Sequence, residues 1–236
     1  MKKKIVTCSL VVALLVIGVI GASLAYFTDT DNADNVFTTG KVDISLEENF
    51  EQNSKLLPAT GSAQAGTLEN GVTKEIQVKN EAGSEDAYVR VHIAIPNILD
   101  NGDPSFDAGK NVLHFNYDKD SIGEGKWDWS KTAGTPYEGD WNYYETTIDG
   151  IKYNVYVVTY EKALKEGEIT AEKAMHQVYL DSKVTNDDVE KINAALKDGI
   201  KIKVIAEGAQ AAGFDNAYAA LNAAFGVPGT YTPAFN

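Results

Sequence analysis

Residues Asp86–Pro96, DAYVRVHIAIP, alternate strictly in polarity. Val89, Val91, Ile93 and Ile95 share one parity, and Tyr88, Arg90, His92 and Ala94 share the other. An extended backbone sends successive side chains to opposite faces, so this pattern predicts a half-buried β-strand. The same period recurs on both sides of it. In TKEIQVKN, Thr73–Asn80, Ile76 and Val78 alternate with Glu75, Gln77 and Lys79. In KVDISLEE, Lys41–Glu48, Val42, Ile44 and Leu46 oppose Asp43 and Ser45. Downstream, NYYETTI (Asn142–Ile148) and IKYNVYVVTY (Ile151–Tyr160) flank Asp149-Gly150, a dipeptide suited to a type I′ hairpin turn. MHQVYLDS (Met175–Ser182) and GIKIKVIAEGAQ (Gly199–Gln210) add two more strands. Seven or eight mostly antiparallel strands in one chain predict an all-β-dominated sandwich.

Two short helices interrupt the strands. TNDDVEKINAALKDG offers Thr185 or Asn186 as N-cap, acids in the first turn, Lys197 in the last and Gly199 as C-cap. FDNAYAALNAAFG places Phe214, Ala217, Tyr218, Leu221, Ala224 and Phe225 on one stripe that ends at Gly226, a pattern of core packing. LKEGEIT, around Gly167, reads as a turn or a short helical piece. The least regular region runs from Pro96 to Gly139 and is rich in Gly, Asp, Asn and aromatic residues. Long connections of this kind carry function or decorate the surface.

The amino terminus has a different logic. Lys2, Lys3 and Lys4 precede an uncharged apolar run from Ile5 to Ile20, and small residues follow. The run is shorter than the roughly 20 residues that span a bilayer. This is the layout of a cleaved signal peptide over residues 1–25, with Ser23 and Ala25 at positions −3 and −1 and the cut before Tyr26. The membrane is then met only through that peptide. Residues 26–40 form a mature amino-terminal segment and 41–236 one domain. Cys8, the single cysteine, lies inside the signal, so the mature chain has no disulfide, thiol nucleophile or cysteine metal site. The formal charge is −13, and loss of three lysines makes the mature chain more acidic still. That balance argues against nucleic acid, which needs clustered Lys and Arg.

The chain shows no catalytic, cofactor or metal motif. His92, His114 and His176 are far apart and none belongs to a His-Glu-x-x-His pair. There is no Gly-x-Ser-x-Gly elbow and no glycine-rich phosphate cradle. DTDNADN, Asp29–Asn35, resembles the start of a calcium loop, but an EF-hand beginning at Asp29 would have Asp34 where glycine belongs and Gly40 where the bidentate acid belongs. DNGDPSFD, Asp100–Asp107, reads either as a polar turn or as a source of oxygen ligands. Trp127, Trp129, Trp141, Tyr143 and Tyr144 have two readings. They close one end of the core or, exposed together, form a stacking platform for a glycan or a partner protein.

The region around the signal also carries a resemblance. GASLAYFTDTD followed by NVFTTGKVDISLEE is similar to the start of the TasA/camelysin family of Gram-positive bacteria, which use a SipW-type signal peptide; Tyr26, Phe27, Asp29, Asn35, Phe37, Gly40, Val42 and Ile44 carry the match. A second block matches through Asn80, Gly83, Asp86, Ala87, Tyr88, Val89 and Arg90, and IKVIAEGAQAAGFDNAYAALNAAFG resembles the strand-then-helix ending of such proteins. The resemblance implies an antiparallel jelly-roll-like β-sandwich, secreted to the cell surface or biofilm matrix. It also implies a homopolymer built head to tail by donor-strand exchange, with signal peptidase as a partner during export and other matrix proteins as further partners. Tyr26–Phe37 would be the donor, with Phe27, Val36 and Phe37 as anchors. A structural subunit without enzymatic activity is therefore the leading expectation. A surface adhesin or glycan-binding module is the alternative. A camelysin-like metallopeptidase is a second one that no zinc motif supports.

Overall fold

The computed structural model describes residues 40–51, 54–59, 68–100, 112–116, 125–129 and 142–235. The expected signal peptide with Ser23 and Ala25, the Tyr26–Phe37 segment with its acids, Trp141 and most of 96–139 lie outside the described residues.

The strands are β1 (Ile44–Phe50), β2 (Pro58–Ala59), β3 (Val72–Asn80), β4 (Ala87–Pro96), β5 (Leu113–Asn116), β6 (Trp127–Asp128), β7 (Tyr143–Ile148), β8 (Ile151–Leu164), β9 (Gln177–Asp181) and β10 (Lys203–Gln210). They form two five-stranded sheets. In the first, β1 pairs antiparallel with β3 along its whole length, Ile44 opposite Asn80 and Phe50 opposite Lys74. Val178 of β9 faces Val72 of β3 on one side and Phe115 of β5 on the other, and β2 adds a short parallel pair to β9. In the second sheet, β10 pairs with β4 and β4 with β8. Tyr160 of β8 lies between Val89 and Trp127, and Tyr156 between Ile93 and Tyr143, so β6 and β7 share the far edge of β8. The fold is an all-β sandwich with two helices.

The inward parity read from the sequence lies in the core. Ile76 and Val78 of the first sheet and Val89, Val91, Ile93 and Ile95 of the second belong to one buried cluster. The outward parities of the two sheets differ. On β3, buried and half-buried residues alternate. On β4, every residue after Tyr88 is buried, because helix α2 and the segment after it cover that side. The half-buried strand expected over Asp86–Pro96 is therefore buried on both faces.

Helix α1 (Asn186–Ala195) starts at the N-cap Thr185 with a full capping box to Asp188. It ends at Ala195 with Leu196 as C-cap, so Lys197 is not in its last turn. Gly199, with φ of 84°, closes a turn onto Leu196 instead of capping the helix. Helix α2 (Ala217–Phe225) starts at Asn216 and buries Ala217, Ala220 and Leu221. Phe214 precedes it and is 40% exposed, and Phe225 is 38% exposed, so of the expected stripe only Ala217 and Leu221 are buried, with Ala220 beside them. Asp149 and Gly150, at φ of 53° and 80°, make the expected left-handed hairpin turn between β7 and β8.

One close approach ties the sheets together. A Cβ on Gly208 of β10 would come within 2.9 Å of the Ile44 side chain of β1. Gly208→Val is expected to destabilise the fold by about 1–3 kcal/mol, the usual cost of overpacking. Ile44→Ala in the same chain should recover part of that loss, as read from urea midpoints.

Candidate functional site

β1 is the outermost strand of its sheet and β10 the outermost of the other; among the described residues neither has a second strand partner. They flank the same side of the sandwich. At the Ile44 end they touch through Gly208. Beside the Phe50 end of β1 lies a cleft of about 720 Å³, bounded by residues 54–57, β3, β9, α1 and the segment 200–202 before β10. Phe50, Leu56, Leu180, Ile192, Ile200 and Ile202 supply much of its wall. Phe50 is 47% exposed and Leu57, beside it, 46%, so apolar surface stays open to solvent.

β1 and its flanks carry Asp43, Glu47, Glu48 and Glu51, with Lys41 paired to Asp43. The other side of the cleft carries Lys201, with Lys55 and Lys74 also in the lining. Lys74 is buried, paired with Glu48, and its ammonium sits 5.0 Å from the Phe50 ring centre. Lys55 and Lys201 are exposed and join no ion pair among the described residues. In so acidic a chain, two unpaired lysines beside an apolar cleft form a local reversal of sign.

A second polar centre lies on the covered face of the β4 sheet. Arg90 Nε donates to Glu207 Oε2 at 2.6 Å, Nη1 to Asn222 Oδ1 at 2.9 Å, and Nη2 to Gly226 O and Tyr231 Oη at 3.1 and 2.6 Å. The His92 ring lies 3.0 Å from Glu207 Oε2 through Nε2 and 3.3 Å from Tyr144 Oη through Nδ1. The Tyr231 hydroxyl donates to the Glu207 carboxylate. Burial alone would raise the Glu207 pKa, but contacts to His92, Tyr231 and Arg90 outweigh it and hold the group down at about 2. Each charge here meets a fixed partner, so the centre is built to hold the covering segment in place. Sequence reading placed Arg90 and His92 on an outward face and missed this role, because Glu207, Asn222 and Tyr231 are more than a hundred residues away.

The four described aromatics of that group, Trp127, Trp129, Tyr143 and Tyr144, do not form one surface. Trp127 and Trp129 are 0% and 2% exposed, packed on Tyr160 and stacked on Phe115 respectively. Tyr143 packs towards Tyr156 in the interior, while its neighbour Tyr144 points to the opposite face and His92.

The histidines also stay apart. His92 meets Glu207, His114 meets Asp181 at 2.7 Å and His176 meets Glu75 at 3.2 Å. Among the described residues no three His, Cys, Asp or Glu side chains converge as a metal-holding group. No helix among them is long and apolar enough to cross a membrane.

An all-β sandwich with two open edge strands and an acidic, cysteine-poor chain is the class that these features define. The camelysin metallo-endopeptidase family model matches residues 1–84, which agrees with the TasA/camelysin resemblance and ends in the turn before β4. The matched residues contain no histidine, and the three histidines beyond them each hold a different carboxylate. No curated protein matches the chain.

Proposed function

We propose that the protein is a secreted structural subunit of a cell-surface or matrix fibre on a Gram-positive bacterium. Its mature amino-terminal segment, Tyr26–Phe37, completes a sheet of the next subunit. The observation that supports this reading is the pair of edges, β1 and β10, that have no second strand partner among the described residues, with an apolar cleft beside the Phe50 end of β1. Unpaired backbone N–H and C=O groups on an edge are a template for another strand. An added strand gains its hydrogen bonds from the backbone and its specificity from alternate side chains that enter pockets. A contact between two different surfaces of the same chain repeats without closing, and so gives a filament.

Purified mature protein is expected to form fibres by electron microscopy, and deletion of Tyr26–Phe37 to abolish them. Fibres that persist in the deletion variant would remove the mechanism.

The family description also motivates a second reading, a metallo-endopeptidase. Casein cleavage by purified, metal-loaded protein that stops on chelation would support it, and inactive protein would remove it.

A further inference from the structure

We propose that the cleft beside the Phe50 end of β1 is a binding site for a small anionic amphiphile, an alkyl carboxylate whose chain lies on the aliphatic wall and whose head meets Lys55 and Lys201. This goes beyond the assembly reading and does not depend on it.

The site starts from a departure in the strand pattern. On β3, Val72, Lys74, Ile76 and Val78 share the core-facing parity, and all four are buried. A lysine therefore stands where the neighbouring positions of that face carry aliphatic residues. β1 departs at the same end. Its Ile44 and Leu46 pack on the core, but the next residues of that parity are Glu48 and Phe50. Glu48 pairs with Lys74, and Phe50 lies opposite Lys74 in register. The cleft opens at this end, with the core residues Val72, Val178, Leu180 and Ile192 in its wall.

The wall carries one sign of charge. Its ionisable side chains are Lys55, Lys74 and Lys201, with no Asp or Glu among the described lining residues. The whole chain has 34 acids against 21 basic residues, so a wall with lysines alone runs against the composition. Lys74 already holds Glu48, and Glu51 accepts from Ser54. Lys55 and Lys201 are exposed and join no ion pair among the described residues. The stretches 52–53 and 60–67, on either side of Lys55 in sequence, contain no Asp or Glu. A ligand with its own carboxylate supplies the missing charge, and charge-assisted contacts are stronger than neutral ones.

The remaining wall selects the body of the ligand. Phe50 is its single aromatic ring among the described residues, so it lacks the facing rings on which a sugar would stack. The other apolar residues are aliphatic, and Phe50, Leu57 and Val189 are exposed, surface that an alkyl chain would take out of water. A volume of about 720 Å³ is within the usual size of small-molecule sites.

Calorimetric titration of purified mature protein with decanoate is expected to show saturable binding of one ligand per chain. Decanol and decyltrimethylammonium should bind about tenfold more weakly or less, since neither meets the lysines with a negative charge. Lys55→Gln with Lys201→Gln should leave the thermal midpoint unchanged, because both side chains are exposed, and should bring decanoate down to the affinity of decanol. Leu57→Ser should weaken decanoate and decanol alike. Absence of saturable binding, equal affinity for the three probes, or decanoate binding that the lysine variant leaves unchanged overturns the proposal. Decanoate that binds only after deletion of Tyr26–Phe37 shows that the protein's own segment fills the cleft, and overturns it as well. Fibre formation is read separately. Decanoate binding by protein that forms no fibres supports the site and removes only the assembly reading, and fibres without decanoate binding do the reverse.

Discussion

Trp127→Ala is expected to lower the unfolding free energy by about 3–5 kcal/mol, the range for truncating a large buried aromatic. Trp127 has no exposed surface, and its ring lies 5.0 Å from that of Tyr160 across the β6–β8 pair. Its indole N–H donates to Glu172 O at 2.9 Å, so truncation also leaves that carbonyl without the indole donor. β6 is two residues long and is held on β8 through the pairs Trp127–Tyr160 and Asp128–Thr159, with Asp128 also accepting from Tyr218. Urea unfolding followed by the fluorescence of the remaining tryptophans measures the loss. A change within about 0.5 kcal/mol, the usual range for surface positions, would show that the side chain is not packed as described.

Glu207→Ala is the second large effect, at about 3–5 kcal/mol, because it strands Arg90 as a buried charge without its counterion. The acid dependence follows from the same group. Its folded pKa of about 2 lies below the ordinary 4.5, so its stabilisation is fully present above 4.5 and is lost as pH falls from 4.5 towards 2. Wild-type thermal midpoints should drop across that window, and those of Glu207→Gln should drop less. Parallel profiles would remove Glu207 as the cause. Replacing both partners, Arg90→Met with Glu207→Leu, should restore part of the stability, since no unpaired charge then remains.

Period two was enough to place β3, β4, β7, β8 and the turn at Asp149-Gly150, because alternation and left-handed turn chemistry are local. Local signals did not reveal β5 and β6, which are short and lie in the Gly- and Asp-rich stretch where alternation is absent. Nor did they show why Arg90 and His92 are buried. An outward Arg on a strand normally meets water, and its partners here come from β10, α2 and the residues after it. Phe214 misled for the opposite reason: its spacing fits the helical stripe, yet the helix starts after Asn216 and leaves it outside. The cleft was equally hidden, because its wall joins β1, β9, α1 and the segment before β10, which meet only in the fold.

The Arg90 centre also sets an order of events in folding. Arg90 must wait for Tyr231, 141 residues later, before its guanidinium is satisfied. A chain synthesised amino terminus first has all ten strands made before Tyr231 follows. Closing such distant contacts is slow, since loop entropy is lost before they form. The covering segment is thus the last part of this face to be made: Asn222, Gly226 and Tyr231 close over Arg90 only after β4, β8 and β10 have been synthesised.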